Sequence, residues 1–432
     1  MQGAHSDFGS FVRAAHRAGR LVVQPRMGFS DPAQMRRGLA ATKGADATTV
    51  GTLTIDAYTR VGDTAAVDEA LRRGTGINGF PIVNYGAHTT RDMLDGIHGP
   101  DFPVQVRHGS AKPFDIFAAT VRAGLSASEG GPVSYCLPYG RTPLDQSVRE
   151  WDRSTLFLAQ LRGMGVDPHL ETFGGCMLGQ LCPPSLLVAI SALEALFFYR
   201  HGIRSISVSY AQQTHFGQDI EAVAALRALC AELLPAATWH VVIYTYMGVY
   251  PTTDGGSYRL LGQAAQLAAA TGSERIIVKT VAESRRIPTI EENIEALEHA
   301  TRAATAFPGG ARPGNSTDSQ VYAEAHALVA AVLDLHDDVG QALILAFKRG
   351  LLDVPYCVHP DNMGRTRSYI DDTGRLRWAT TGELPIGHLV ESSGNRRVTS
   401  GELLGALSYV SHKFDTEAME KPLPTKGSTS LR

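Results

Sequence analysis

The chain has 432 residues, enough for one large α/β domain with an extension or for two ordinary domains. Its 40 Lys and Arg against 43 Asp and Glu leave a net charge of −3, too balanced for a nucleic-acid or membrane-surface binder. The five cysteines (Cys136, Cys176, Cys182, Cys230, Cys357) show no CxxC or Cys/His spacing, no apolar run reaches membrane-spanning length, and the N-terminus lacks an apolar h-region; these features argue against zinc, disulfides, a membrane helix and a secretory leader, and predict a cytoplasmic protein.

From residue 20 onward, short β-rich runs alternate with Ala/Leu-rich helical stretches. In chain order they are a strand at 21–25, the helix DPAQMRRGLAATKG, a strand at 48–55, the helix DTAAVDEALRRG, strands at 80–84 (FPIVN) and 102–107, and the helix PFDIFAATVRAG. Strands at 124–128 and 168–172 follow, then the helix LLVAISALEALFFYRHG, a strand at 204–209, the helix QDIEAVAALRALCAELL, a strand at 239–246, the helix YRLLGQAAQLAAATG and a strand at 274–279. Several helices end in glycine, as a C′ residue should. The rhythm predicts an α/β fold, a (β/α)8 TIM-type barrel over residues 1–345 with an N-terminal helix; an open doubly wound sheet is the alternative. Nine candidate strands compete for eight places, so one lies outside the barrel or is misassigned. Residues 346–432 read as a loop-rich C-terminal extension with one hairpin at Asp372-Thr373-Gly374 and a disordered tail, KPLPTKGSTSLR.

Polar residues recur where the β-runs finish: Arg26, Arg60, Arg107, Glu129, Glu171 and Lys279. The carboxyl ends of barrel strands form the active-site face, so these side chains are expected to converge in a cationic pocket. Three guanidiniums there suit a small substrate with two carboxylates, which the planar fork binds bidentately, and Glu129 would then hold an ammonium. The plainer alternative is structural ion pairing between loops. In EGGPVSYCLPYGR (129–141), Tyr135 and Tyr139 can donate to carboxylates while their rings form an apolar wall, or be ordinary core tyrosines. Lys279 and Glu283, four apart, read as an ion pair, or Lys279 as a Schiff-base lysine at a strand end.

GTGING (74–79) follows a helix and precedes a β-run, the reverse of the dinucleotide-binding context. DPHLET (167–172) and DLHDDV (334–339) begin like the cobalamin-ligand motif DxHxxG but lack its glycine, so no axial histidine to cobalt is expected from this chain. There is no HExxH, P-loop or GxSxG motif, and no metal site is predicted; His108, beside Arg107, is the one histidine singled out.

The segments VVQPRMGF (22–29), TIDAYTRVGD (54–63), FPVQVRHGS (102–110), SASEGGPVSYCLPYGR (126–141), HLETFGGCMLGQLCPP (169–184), SISVSYAQQTHFGQD (205–219), YTYMGVYP (244–251) and VKTVAESRRIPTIEEN (278–293) resemble the large, epsilon subunit of the glutamate mutase (methylaspartate mutase) family. The resemblance implies a barrel whose mouth is capped by adenosylcobalamin, carried on a separate small subunit bearing DxHxxG, in a heterotetramer of two large and two small subunits. It implies a radical rearrangement of L-glutamate to 3-methylaspartate, with Arg26, Arg60, Arg107, His108, Glu129, Tyr135 and Tyr139 at the substrate and Glu129 in a catalytic role. It further places Gly28, Asn84, Pro138, Tyr250, Lys279, Glu283 and Ile287 at the cofactor; Tyr250 stands where the family pattern has Phe. The competing functional readings are a Schiff-base lyase using Lys279 and a non-catalytic scaffold that binds a partner.

Overall fold

The computed structural model describes residues 7–138, 140–174, 181–308, 317–390 and 396–421. β-Branched residues recur in the longer strands Ser205–Ala211 and Thr238–Tyr244, and several of the helices between the strands open on a side-chain cap. Asp31 accepts from Gln34 N ahead of the helix Pro32–Gly44, and Thr253 from Gly256 N ahead of Asp254–Thr271. The barrel strands are β1 (Val22–Gln24), β2 (Thr48–Thr49), β3 (Gly51–Thr54), β4 (Val104–Arg107), β5 (Ala127–Glu129), β6 (His169–Glu171), β7 (Ser205–Ala211), β8 (Thr238–Tyr244) and β9 (Arg275–Ile277).

Neighbouring strands are parallel throughout, in the order β2-β1-β9-β8-β7-β6-β5-β4-β3. β2 pairs with β1 and β3 pairs with β4, yet only Val50 separates β2 from β3. The two edges of the sheet are therefore consecutive pieces of one stave, and the ring closes as the expected (β/α)8 barrel. The surplus candidate strand is 80–84: Pro81 is the N-cap residue of the helix Ile82–Leu94. The apolar character of that run comes from Phe80 and Ile82 packing with Met27, Phe29 and Leu53 as a connection, not from pairing in the sheet.

Strand alternation sends apolar side chains out to the helices and a polar set inward. Gln24, Gln105, His169, Glu171, Ser207 and Arg275 are all fully buried, and they hydrogen-bond to one another across the ring. The N-terminal helix Phe8–Arg17 closes the lower end: the Phe8 ring centroid is 5.0 Å from that of His169, and the Arg275 guanidinium lies 5.0 Å over the Phe8 ring.

Past the helix Val339–Arg349, the predicted hairpin is β10 (Arg367–Ile370) and β11 (Leu376–Thr380), turned at Gly374 with φ 87°. Thr214 Oγ1 donates to Gly374 O at 2.7 Å and Trp378 Nε1 to Glu324 Oε2 at 3.0 Å, which seats the hairpin on the barrel helices. A helix not expected from the sequence, Ser400–Glu420, follows a capping box of Thr399 and Glu402. The tail read as disordered lies, beyond Lys421, outside the described residues. Among the described residues no helix is long and apolar enough to cross a membrane, and the four described cysteines are free and buried.

Candidate active site

Four strand ends bring a buried ionic cluster to the upper face of the barrel. Arg107, closing β4, points Nη2 at Glu129 Oε2 (3.1 Å) on β5 and Nη1 at Glu171 Oε1 (3.2 Å) on β6. Nη2 also donates to the Tyr244 hydroxyl of β8 at 3.0 Å, and that hydroxyl donates to Glu171 Oε1. On the other side, the Tyr135 hydroxyl donates to Glu129 Oε1, which also accepts the His108 backbone N–H at 3.1 Å. Arg107 is 5% exposed, Glu129 1% and Tyr135 3%, so the cluster sits in a water-poor setting where charge contacts are strong.

The two carboxylates differ in character. Burial pushes the Glu129 carboxyl above its ordinary range, and the opposing pull of Arg107 does not cancel it. Burial acts on Glu171 in the same sense, but Arg275 from below and Arg107 from above, with hydrogen bonds from Tyr244 and Arg275, hold it at about 2. Glu171 is thus a fixed anion, and Glu129 is the one poised to exchange a proton or a partner. Burial and the neighbouring Arg107 charge push His108 down to about 3, so its ring is neutral. Its Nδ1 accepts the Ser110 N–H at 3.0 Å, which leaves the proton on Nε2, an atom with no hydrogen-bond partner. The ring stacks on Trp151 with centroids 5.8 Å apart.

Arg60 sits on the short helix Ala57–Val61 after β3, and its side chain lies against Gly109, where a Cβ would come within 3.0 Å of Arg60 Cδ. Gly109 has φ 74°, so glycine serves both the backbone and the passage of the arginine. Among the described residues the Arg60 guanidinium has neither an ion pair nor a hydrogen bond, so it is the cation available to an incoming anion. The turn carrying Tyr135 is held from behind by Glu194: Oε1 accepts Val133 N at 3.0 Å and Ser134 N at 2.8 Å, while Oε2 accepts Ser134 Oγ at 2.8 Å.

A second group lies beside β1 and β9. A cleft of about 440 Å³ is lined by Arg26, Gly28, Phe29, Asn78, Glu283 and Ile287, among others. Glu283 Oε1 bridges Arg26 Nη1 (2.9 Å) and Lys279 Nζ (3.1 Å). Burial would raise Glu283, but these two cations keep its carboxyl below the ordinary range. Lys279 Nζ lies 5.1 Å over the Tyr250 ring, whose buried hydroxyl has no hydrogen-bond partner among the described residues. A side chain at Gly28 would run into the Thr54 backbone, so chain crowding dictates that glycine.

Of the residues named from the sequence, Arg107, His108, Glu129 and Tyr135 therefore meet in one cluster, with Arg60 beside it. Arg26, Gly28, Lys279, Glu283, Ile287 and Tyr250 group around the cleft. Asn84 does not line this cleft; it donates to Thr64 O (3.0 Å) and Asp68 Oδ1 (2.7 Å), while Asn78 is one of the lining residues. Pro138 ends the Tyr135 turn and is half-buried, and Tyr139 lies outside the described residues. The sequence pattern does not single out Tyr244 or Arg275, and it marks Glu171 only as a strand-end residue. Their signal is parity: each falls on an inward-facing strand position. Among the described residues no group of three or more His, Cys, Asp or Glu is arranged to hold a metal ion.

Comparison with known proteins gives a consistent result. The profile of the family described as Methylaspartate mutase E chain (MutE) matches residues 3–402, a match that ends inside the helix Ser400–Glu420. A glutamate mutase epsilon subunit from Halobacterium salinarum is 29% identical over 390 residues, covering 87% of this chain and 80% of its own. Its counterpart from Escherichia coli O157:H7 is 28% identical, covering 88% and 82%, and that from Shigella dysenteriae is 27% identical, covering 93% and 90%. Among solved structures, the YdjI aldolase from Escherichia coli K12 aligns at a TM-score of 0.34 and 14% identity, over 69% of this chain and 94% of its own.

Proposed function

From the premise that the chain belongs to the Methylaspartate mutase E chain family, we propose that it is the catalytic subunit of a glutamate mutase. In this reading it rearranges the carbon skeleton of L-glutamate to (2S,3S)-3-methylaspartate, using adenosylcobalamin carried with a small DxHxxG-bearing subunit in a heterotetramer of two large and two small chains. A cytoplasmic setting belongs to the same reading, and the four described cysteines, free and buried, support it.

The observation that carries the reading is the buried Arg107 with Glu129 between it and Tyr135, and beside them Arg60, which has no ion pair among the described residues. That set matches a substrate with two carboxylates and one ammonium. Arg60 and Arg107 take the carboxylates, Glu129 takes the ammonium in exchange for its contact with Arg107, and His108 Nε2–H supplies a further donor. Glu171, locked from below, stays with Arg107 and fixes the plane of the fork. The reacting skeleton separates into two pieces that each keep a carboxylate, so the arginines hold both in register until they rejoin. This is catalysis by orientation and exclusion of water. Glu129, with its raised pKa, can accept a proton or positive charge from the amino group.

The cleft residues fit an adenosyl group. Glu283, an ionised acceptor pinned by two cations, suits vicinal ribose hydroxyls, and Gly28 and Ile287 supply backbone and apolar contact. When bound, adenosylcobalamin supplies the carbon-centred radical that removes a substrate hydrogen. The ion pair between Lys279 and Glu283 favours a charged lysine and counts against Schiff-base chemistry.

The test combines the purified chain, a small cobalamin-binding subunit, adenosylcobalamin and L-glutamate, and follows 3-methylaspartate together with cob(II)alamin absorbance. Product and signal that depend on every component support the mutase. Neither, with a folded barrel and a matched small subunit, refutes it.

A further inference from the structure

We infer that the C-terminal helix Ser400–Glu420 is a positioning element for the cofactor end of the site, acting through Asp415 on residues 250–254. The inference rests on the reading of the Arg26, Gly28 and Glu283 cleft as the adenosyl site.

Asp415 is 7% exposed, and its carboxylate gathers four donors from two consecutive residues. Oδ2 accepts Thr252 N and Thr252 Oγ1, both at 2.9 Å; Oδ1 accepts Thr253 N at 3.0 Å and Thr253 Oγ1 at 2.5 Å. One turn earlier in the helix, Ser411 Oγ donates to Tyr250 O at 3.2 Å. Val410 and Phe414 complete the seat by packing with Tyr246, Tyr250 and Leu260. A Cβ on Gly256 would lie 2.5 Å from Asp415 Oδ1, so the N-terminus of Asp254–Thr271 is fitted closely to that carboxylate.

The same short loop is gripped from the cleft side. Arg285 Nη2 donates to Thr252 O and, at 3.0 Å, to Asp254 Oδ1, and Arg285 borders the cleft with Glu283 and Ile287. Between the two grips, the Tyr250 ring lies under Lys279, whose ammonium pairs with Glu283. Residues 250–254 are thus a splice between the C-terminal helix and the segment that bears the ribose-binding carboxylate. The Arg107, Glu129 and Tyr135 cluster is held by other means, from Glu171 and Glu194. Release of the helix is therefore expected to loosen one half of the site and spare the other.

The experiment uses the full chain with Asp415→Ala and Asp415→Asn, read by backbone amide exchange and by kinetics with the small subunit. Asp415→Ala removes all four acceptor contacts. The exchange rates of Thr252 and Thr253, and the adenosylcobalamin concentration for half-maximal rate, are each expected to rise about tenfold, while the KM for glutamate stays within about twofold. Asp415→Asn keeps one carbonyl acceptor and recovers part of both effects. Unchanged exchange at Thr252 and Thr253, equal shifts in the two kinetic constants, or no advantage of Asn over Ala would each overturn the inference. Absence of turnover in the wild-type chain would count against the mutase reading instead. In that case, exchange at residues 283–287, compared with residues 129–135, still decides whether the helix braces the cleft selectively.

Discussion

Replacing Arg107 by lysine keeps the charge and removes the fork. In the resting site the guanidinium makes contacts of 3.1 Å to Glu129, 3.2 Å to Glu171 and 3.0 Å to the Tyr244 hydroxyl from two nitrogens. A single ammonium cannot meet Glu171 and present two parallel donors to a substrate carboxylate at once. Losing one or two charge-assisted hydrogen bonds at about 1.5–3 kcal/mol each comes to about 3 kcal/mol, or roughly two orders of magnitude in kcat/KM. The assay is 3-methylaspartate formation with saturating small subunit and cofactor, alongside urea unfolding. Because the charge remains between the two carboxylates, the unfolding free energy of Arg107→Lys should fall by about 1 kcal/mol. Arg107→Met, which takes the buried cation from Glu129 and leaves Glu171 to Arg275 alone, should lose about 3–5 kcal/mol. A kcat/KM within about fivefold of wild type for Arg107→Lys would refute the clamp.

The pH dependence of stability has a defined sign. Burial raises Glu194 to about 7 and Asp219 to about 8, so the folded chain holds protons that the unfolded chain has released, and stability falls as pH rises through those values. Between about pH 6.5 and about pH 8.5 the loss is about 1 kcal/mol from Glu194 and about 2 kcal/mol from Asp219; urea midpoints in the Glu194→Gln, Asp219→Asn double variant should be flatter, and an unchanged slope would show that these groups do not titrate there. Tyr250→Phe removes a buried hydroxyl without a partner and should raise the unfolding free energy of the isolated chain by about 1 kcal/mol; a loss would mean that the hydroxyl is satisfied in solution. Arg60→Ala should leave stability within about 0.5 kcal/mol, since no ion pair is broken, while raising the KM for glutamate at least about tenfold; an unaltered KM would remove Arg60 from the substrate. The chain alone should form no measurable product, and turnover without any DxHxxG protein would defeat the two-subunit reading.

The barrel was legible because short β-rich runs alternate with helices of regular period, and because barrel geometry gathers strand-end residues such as Arg107 and Glu129 onto one face. FPIVN misled because an apolar pentapeptide carries no period, and its proline fits a helix N-cap as well as a strand end. Tyr244, Arg275 and the fixed-anion role of Glu171 were hidden for a different reason. Their partners lie on distant staves, so the pairing exists only once the ring has closed. The helix Ser400–Glu420 was missed because Gly401 and Gly405 dilute its helical pattern, although the Thr399 and Glu402 capping box was there to be read.

The polar interior also bears on how such a barrel can be engineered. Gln24, Gln105, Glu171 and Arg275 sit where a hydrophobic repacking would be the ordinary route to a more heat-resistant protein. Here the same side chains form the column on which Arg107 rests, so a floor rebuilt in leucine and valine would yield a sturdier barrel with an unaimed guanidinium. Gains in robustness are better sought on the outer helices, and altered substrate choice in Arg60 and the Tyr135 turn, leaving the central column as inherited.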